Sequence, residues 1–335
     1  MRRALELAAR GRYSVSPNPM VGCVIVRDGN VIAEGWHQRA GEPHAEIEAL
    51  RNVDARGATM IVTLEPCAHH GRTPPCTDAI IAAGVSRVVV AMRDPHPVAA
   101  GGVEKLREAG IEVVTGVLEE EARKLNEIFV HAVTHRRPFV LLKAGMTLDG
   151  KLATVTRESK WITSEAARQK SLELREEYDA ILAGGGTVAT DNPHLTRRLG
   201  WNTARTGWTR IILDRGRVVQ AGAHVLTDGG ATIHIVDDAD LEVLLADLYE
   251  RGIHSVIVEG GSAVLSEFIR RTLWQKMIVF IAPMVIGGAE APSIFRGKGV
   301  AKLTDACRFQ FDETELVGND VMITTYPYRA PVNGN

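Results

Sequence analysis

Short apolar runs alternate with amphipathic stretches along the chain, the pattern of strands laid between helices. Near the start, residues 4–9 have helical spacing, and 21–26 and 31–35 read as two strands paired across the turn Asp28-Gly29-Asn30. A helix is expected from Pro43, in its first turn, to about Asn52. Residues 60–64 and 87–92 read as buried strands, the second preceded by a short helix over 77–83 that Gly84 closes. One long helix is predicted over 119–135 and stopped by Arg136-Arg137-Pro138, where the domain boundary is drawn. Beyond it come strands at 139–143, 180–183, 210–214, 232–236, 255–259 and 277–282, with helices over 164–177, 240–251 and 262–271. Residues 192–207 read as a mobile loop. Each half is therefore expected to be a helix-covered sheet, giving an α/β protein of two domains, 1–137 and 138–335.

Composition narrows the class. A length of 335 residues suits two domains, at roughly 100 to 200 residues each. No run approaches the roughly 18 apolar residues of a membrane helix, so a globular protein without a membrane partner is expected. A net charge of -2 and a pI near 6.6 supply no field to hold a polyanion, which favours a small-molecule partner over nucleic acid. The four cysteines, Cys23, Cys67, Cys76 and Cys307, are too few for a stapled secreted fold. Glu6 and Arg10 interrupt the N-terminal stretch before it could serve as a signal peptide, so a cytoplasmic location is expected.

The segment Pro43-His44-Ala45-Glu46 is followed 23 residues after the histidine by Glu65-Pro66-Cys67, and nine further on by Pro74-Pro75-Cys76. One imidazole and two thiolates suit a tetrahedral Zn²⁺, and three protein ligands leave the fourth position open, as in a catalytic site. Cys76 begins a helix, where amide dipoles favour a thiolate. Glu46 lies about 200° around the helix from His44, poorly placed to bind the same ion. It is better cast as a proton carrier, the arrangement of zinc deaminases. Taken singly, Cys67 or Cys76 reads as a small buried hydrophobe. Cys23 and Cys307 lack such surroundings, and core packing is expected for both. In the second half, Gly184-Gly185-Gly186-Thr187 and Glu259-Gly260-Gly261-Ser262 each follow a strand, junctions that admit a phosphate or serve only close packing. The Gly-x-Gly-x-x-Gly fingerprint is absent, which argues against a standard Rossmann domain.

The stretches Asn18-Pro19-Met20-Val21-Gly22-Cys23, Gly41-Glu42-Pro43-His44-Ala45-Glu46 and Thr63-Leu64-Glu65-Pro66-Cys67-Ala68-His69-His70-Gly71-Arg72-Thr73-Pro74-Pro75-Cys76 resemble the bifunctional deaminase–reductase family of riboflavin biosynthesis. So do Ala144-Gly145-Met146-Thr147-Leu148-Asp149-Gly150-Lys151, Ser159-Lys160-Trp161-Ile162-Thr163-Ser164, Gly186-Thr187-Val188-Ala189-Thr190-Asp191-Asn192-Pro193, Val258-Glu259-Gly260-Gly261 and Ala282-Pro283. The resemblance implies a cytidine-deaminase-like three-layer α/β/α domain followed by a dihydrofolate-reductase-like α/β domain. It further implies deamination of a diaminopyrimidine ribosyl phosphate, NADPH-dependent reduction of its ribosyl group to ribityl, and a homo-oligomer. By the same resemblance His44, Cys67 and Cys76 take one zinc and Glu46 carries the proton, while Asn18, His37 and the insertion from His69 to Thr73 meet the pyrimidine and its phosphate. NADPH falls to Gly145, Trp161, Thr187, Asp191, Arg215, Gly261, Ser262, Ala263, Val264, Leu265, Ser266 and Glu267. The ribosyl phosphate falls to Ser159, Arg175, Leu195, Arg198 and Glu259, with Lys151 and Glu259 the ionisable pair expected to orient the ribose and move its proton. Read without the resemblance, Arg175 is also a solvated helix residue, Lys151 a surface charge and His70 a loop residue facing solvent. Two positions depart from the family pattern. Ala99-Ala100-Gly101-Gly102 has no basic residue, and Arg215 stands where a small hydroxyl residue is usual, either to meet the extra phosphate of NADPH or to face solvent. The competing readings are a deaminase of another base with a merely binding second half, and a zinc-stabilised protein without catalysis.

Overall fold

The computed structural model describes residues 1–69, 74–96, 100–201 and 207–328. It divides into two compact units, one over Met1–Arg137, the other over Pro138–Gly200 and from Gly207 on. The first contains α1 (Arg2–Ala9), β1 (Gly22–Arg27), β2 (Asn30–Trp36), α2 (Ala45–Leu50), β3 (Thr59–Leu64), α3 (Cys76–Ala82) and β4 (Arg87–Met92), then α4 (Gly102–Glu108), β5 (Glu112–Thr115), α5 (Glu119–Leu125) and α6 (Glu127–His135). Its sheet has the order β2-β1-β3-β4-β5, antiparallel across β1 and parallel from β3 to β5. Asp28 and Gly29, at φ 50° and 77°, make the tight turn between β1 and β2 whose twist matches that of the strands. Successive β1 side chains part to opposite faces: Cys23 and Ile25 join Ala49, Met60, Val62 and Ile80, whereas Val24 packs with Ala4 and Leu7 of α1. Helices thus cover both faces of the sheet, the three-layer arrangement expected.

Two differences have physical causes. The expected single helix over 119–135 is two, broken at Asn126, whose buried side-chain amide accepts the Met20 N–H and donates to the Met20 carbonyl. Satisfying a distant backbone pair outweighs continuing the helix there. The helix α4 and the four-residue strand β5 were not expected, being short and partly polar.

The second unit contains β6 (Phe139–Thr147), α7 (Glu165–Glu177), β7 (Ala180–Gly184), α8 (Gly185–Asp191), β8 (Thr209–Leu213), α9 (His224–Thr227) and β9 (Thr232–Ile235), then α10 (Leu241–Glu250), β10 (Ser255–Val258), α11 (Ser262–Arg270), β11 (Lys276–Ala282), β12 (Phe309–Val317) and β13 (Asp320–Pro327). Its sheet has the order β12-β13-β11-β6-β10-β7-β8-β9; β11 through β9 run parallel, and the β12–β13 hairpin is antiparallel. The near-continuous apolar runs of β6, β7 and β10 fit central strands buried on both faces. Leu244 and Leu248 of α10 and Leu265 and Phe268 of α11 pack on Val140, Leu182, Val256 and Val258.

The hairpin went unpredicted because β12 is an edge strand with little buried, its exposed Phe311 and Leu316 separated by acidic residues. The helices α8 and α9 were also unforeseen; where a glycine turn was expected, α8 starts at Gly185, directly after β7. Cys23 is buried, but Cys307, also expected in the core, is exposed on the segment before β12. Of the loop 192–207, residues 202–206 lie outside the described residues. Among the described residues no helix is long and apolar enough to cross a membrane.

Candidate functional sites

The first site is built at helix starts. His44 is the residue that caps α2, with extended backbone at φ -72° and ψ 163°, so Pro43 precedes the helix and does not lie in its first turn. Cys67 follows β3 on a loop, and Cys76 opens α3. His44 Nδ1 lies 3.2 Å from Cys76 Sγ and 3.6 Å from Cys67 Sγ, and the three ligand atoms fall within 4.8 Å of one another. A tetrahedral zinc with ordinary Zn–N and Zn–S bonds needs ligand atoms about 3.6 to 3.8 Å apart, so the set fits the ion after small adjustments. The Cys76 side chain, with help from His44 and against burial, holds the Cys67 thiol well below its ordinary range. Cys76 is pushed up by its neighbour Cys67 and by burial. Such a thiolate–thiol pair attracts a cation.

Glu46 lies in the first turn of α2, 3 % exposed, and burial pushes its carboxyl up. Because His44 stands outside the helix, the expected angular separation does not apply, and both residues line one cavity of about 250 Å³. Asn18, His37 and His69 line it too. His37 Nδ1 donates to the Pro43 carbonyl at 3.1 Å, which leaves Nε2 to accept from Asn18 Nδ2 at 3.0 Å. Burial holds its pKa down, as a neutral ring requires. His69 Nδ1 is shielded from solvent and has no hydrogen-bond partner among the described residues. His70 and the rest of the insertion through Thr73 lie outside the described residues.

Asp94, His96 and Phe129 complete the lining and were missed from sequence; the signal was the polar Asp94-Pro95-His96 directly after an apolar strand. The segment lacking the family's basic residue serves another purpose. The fully buried Glu65 carboxylate accepts the N–H groups of Asp94, Gly101 and Val103 and pairs with Arg93 at 2.9 Å. A Cβ on Gly102 would lie 1.8 Å from the Pro66 carbonyl oxygen, so α4 begins pressed against the segment that carries Cys67.

The second site is a cavity of about 1030 Å³ at the C-terminal ends of β6, β10 and β7. Val258 pairs with Leu142 on one side and Leu182 on the other, which brings Glu259 beside Lys143. Arg175 of α7 grips both Glu259 carboxylate oxygens at 2.7 and 2.9 Å, and Lys143 Nζ lies 3.2 Å from the second. Burial alone would push the Glu259 carboxyl up, but Arg175 and Lys143 outweigh it and hold it at about 2. The partner expected for Glu259 was Lys151. Lys151 instead donates to the Ala291 carbonyl and Ser293 Oγ at 3.2 Å each and is not among the lining residues. The overlooked sign was Lys143 itself, one charge closing the run Phe139-Val140-Leu141-Leu142.

Gly145, Trp161, Thr187, Asp191, Gly261, Ser262, Ala263 and Val264 line this cavity, as do Ser159, Leu195 and Arg198. Thr187 Oγ1 accepts the Gly261 N–H at 3.0 Å and joins two of the glycine segments. The rest of the expected cofactor stretch turns away: Leu265 is in the core, Ser266 Oγ accepts the Arg296 N–H, and Glu267 pairs with Arg270. Arg215 pairs with Asp238 at 2.8 Å, outside the lining. Arg157, Lys160, Arg168 and Arg296 add positive charge against the two acids Asp191 and Glu259, a lining suited to phosphorylated ligands.

Residues 1–92 match the cytidine and deoxycytidylate deaminase zinc-binding region, and residues 138–323 match the RibD C-terminal domain. The cofactors are zinc for the deaminase half and NADPH for the reductase half. The chain is 41 % identical to the riboflavin biosynthesis protein RibD of Bacillus amyloliquefaciens over 98 % of this chain and 95 % of that one. Identity is 41 % also to RibD of Escherichia coli, over 96 % and 97 %. A Thermotoga maritima crystal structure described as a diaminohydroxyphosphoribosylaminopyrimidine deaminase/5-amino-6-(5-phosphoribosylamino)uracil reductase superposes with a TM-score of 0.88 at 43 % identity, covering 98 % of this chain and 97 % of that one. Acinetobacter baumannii RibD gives 0.88 at 38 %, covering 98 % of each chain. With both halves matched in order along its length, the chain belongs to the RibD family of bifunctional riboflavin-biosynthesis enzymes, a deaminase joined to a reductase.

Proposed function

We propose that the first cavity deaminates diaminohydroxyphosphoribosylaminopyrimidine and that the second reduces the resulting 5-amino-6-(5-phosphoribosylamino)uracil to its ribityl counterpart. The observation that carries this reading is that each unit holds its own cavity, one with soft ligands beside a buried acid, the other with a cationic lining around a fixed carboxylate. His44, Cys67 and Cys76 would hold the zinc, which supplies Lewis-acid activation of water when bound. Glu46 takes a proton from the attacking water and delivers it to the departing amine, so that C–NH₂ and water become C=O and ammonia. Asn18, the neutral His37 and His69 orient the pyrimidine and its phosphate.

In the second cavity Gly145, Trp161, Thr187, Asp191 and Gly261 to Val264 would hold NADPH, which supplies a hydride for the ribosyl C1′. Reduction of the ring-opened C1′=N bond also consumes one proton, and Lys143 Nζ is the ammonium beside Glu259 able to donate it. Glu259, fixed by Arg175, accepts from the ribose hydroxyls, and Ser159, Leu195 and Arg198 receive the phosphate end. The reading also takes the enzyme as a cytoplasmic homo-oligomer, consistent with four free cysteines; light scattering measures the assembly.

The test is to incubate the zinc-loaded chain with the first substrate, with and without NADPH, and identify products by mass. Without NADPH the reaction should stop after ammonia release; with it the product should gain two hydrogens. An unchanged first substrate would overturn the deaminase assignment, and a deaminated product that never gains hydrogen would overturn the reductase assignment.

A further inference from the structure

The described part of the loop expected to be mobile is pinned. Arg197 Nε donates to the Arg175 carbonyl at 3.1 Å, and its terminal nitrogen donates to the Tyr178 carbonyl. These carbonyls belong to the last turn and the cap of α7. The guanidinium lies over the Trp208 ring, 4.5 Å from its centroid, and Trp208 Nε1 donates to the Leu195 carbonyl at 2.6 Å. Arg175, while gripping Glu259, donates a further N–H to the Thr196 carbonyl at 3.0 Å, and the Leu199 N–H reaches Glu176 Oε1 at 3.1 Å. Four consecutive residues from Leu195 to Arg198 therefore divide the work: the outer two, Leu195 and Arg198, line the cavity, while the inner two, Thr196 and Arg197, anchor the segment to α7. Arg198 makes none of these anchoring bonds and is the exposed charge they aim.

We infer that Arg197, stacked on Trp208, is a positioning residue: it caps α7 from the loop and thereby sets Arg198 and Leu195 at the phosphate end of the reductase substrate. Loop and Glu259 share one mechanical base, because the same arginine, Arg175, bonds to both. A planar fork that donates to two carbonyls while stacking on a ring is a task for arginine, and lysine cannot reproduce it. The inference rests on the reading that Arg198 meets the substrate phosphate.

The experiment compares Arg197→Ala, Arg197→Lys, Trp208→Ala and Arg198→Ala in the full-length, zinc-loaded enzyme. Reductase kcat and KM are measured with the aminouracil ribosyl phosphate and with its dephosphorylated form, alongside NADPH affinity by fluorescence quenching. Arg197→Ala and Trp208→Ala should raise KM for the phosphorylated substrate about tenfold or more, with kcat within about threefold, and Arg197→Lys should not rescue it. KM for the dephosphorylated substrate and NADPH affinity should stay at wild-type values, which a merely structural loss would not allow. Unchanged KM in Arg197→Ala, with Arg198→Ala impaired, would overturn the positioning role alone. Unchanged KM in Arg198→Ala would overturn the phosphate reading and this inference together. Parallel loss for both substrates and NADPH would show that Arg197 only supports the fold.

Discussion

The two cavities solve opposite problems. In the deaminase half three ligand atoms and one acid come from two helix starts and a loop, so the chemistry is concentrated in a cavity of about 250 Å³. In the reductase half about 1030 Å³ is lined by three strand ends, four helices, the segment 152–163 and the loop after α8, and its one fixed carboxylate depends on cations from two other elements. A metal gathers its ligands by coordination, and a few residues suffice. A dinucleotide and a sugar phosphate need long surfaces, so residues far apart in sequence have to be aligned by the sheet. Point changes in the first should be all-or-none and local, whereas changes in the second should be graded and spread through its network.

The largest effect tests the first half. Cys76→Ser should reduce bound zinc from one per chain to a trace and abolish ammonia release, while Glu46→Gln should keep the metal and lose about two to four orders of magnitude in deamination. Reductase activity should survive in both. Metal analysis with separate half-reaction assays checks this, and a parallel loss of reduction would dissolve the contrast between the halves.

Next comes the half-buried triad. Glu259→Gln leaves Arg175 and Lys143 facing a neutral amide, and breaking a pair shielded to this degree destabilises by about 3 kcal/mol. Reductase kcat/KM should fall at least about a hundredfold, and denaturant unfolding should show the reductase transition alone shifted. A normal transition would mean that the pair contributes nothing to the fold.

A smaller effect follows from pH. Glu259 is held at about 2, below its ordinary 4.5, so its ion pairs stabilise the fold fully above about pH 4.5 and progressively less as pH falls toward 2. The shift corresponds to about 3 kcal/mol. Melting followed between pH 6 and pH 3 should show the reductase transition fall, and Glu259→Gln should flatten that dependence. The smallest effect separates two lysines. Lys151→Ala should keep reductase kcat/KM within about threefold, having lost only hydrogen bonds to Ala291 and Ser293, while Lys143→Ala should lose about a hundredfold. Equal losses would return Lys151 to the site.

Legibility in the sequence followed the same division. His44, Cys67 and Cys76 were readable because coordination imposes residue type and spacing locally. Lys143 was not, because only the register of β6 against β10 puts it beside Glu259, and register is a long-range property. Strands buried on both faces announced themselves as apolar runs; the edge strand β12, with little to bury, did not. The break at Asn126 escaped for a related reason, since its cause is the backbone of Met20, far away in the sequence.

The contact between Gly102 and Pro66 has a consequence for genetics. Any side chain at Gly102 must displace the Pro66 carbonyl, whose next residue is Cys67, so the position is coupled to the metal although it carries no donor atom and stands 35 residues from the nearest cysteine ligand other than Cys76. Selection for strains that grow only in zinc-supplemented medium without riboflavin should therefore recover substitutions at Gly102 beside those at the ligands themselves. An inventory of essential positions drawn from donor chemistry alone would omit it.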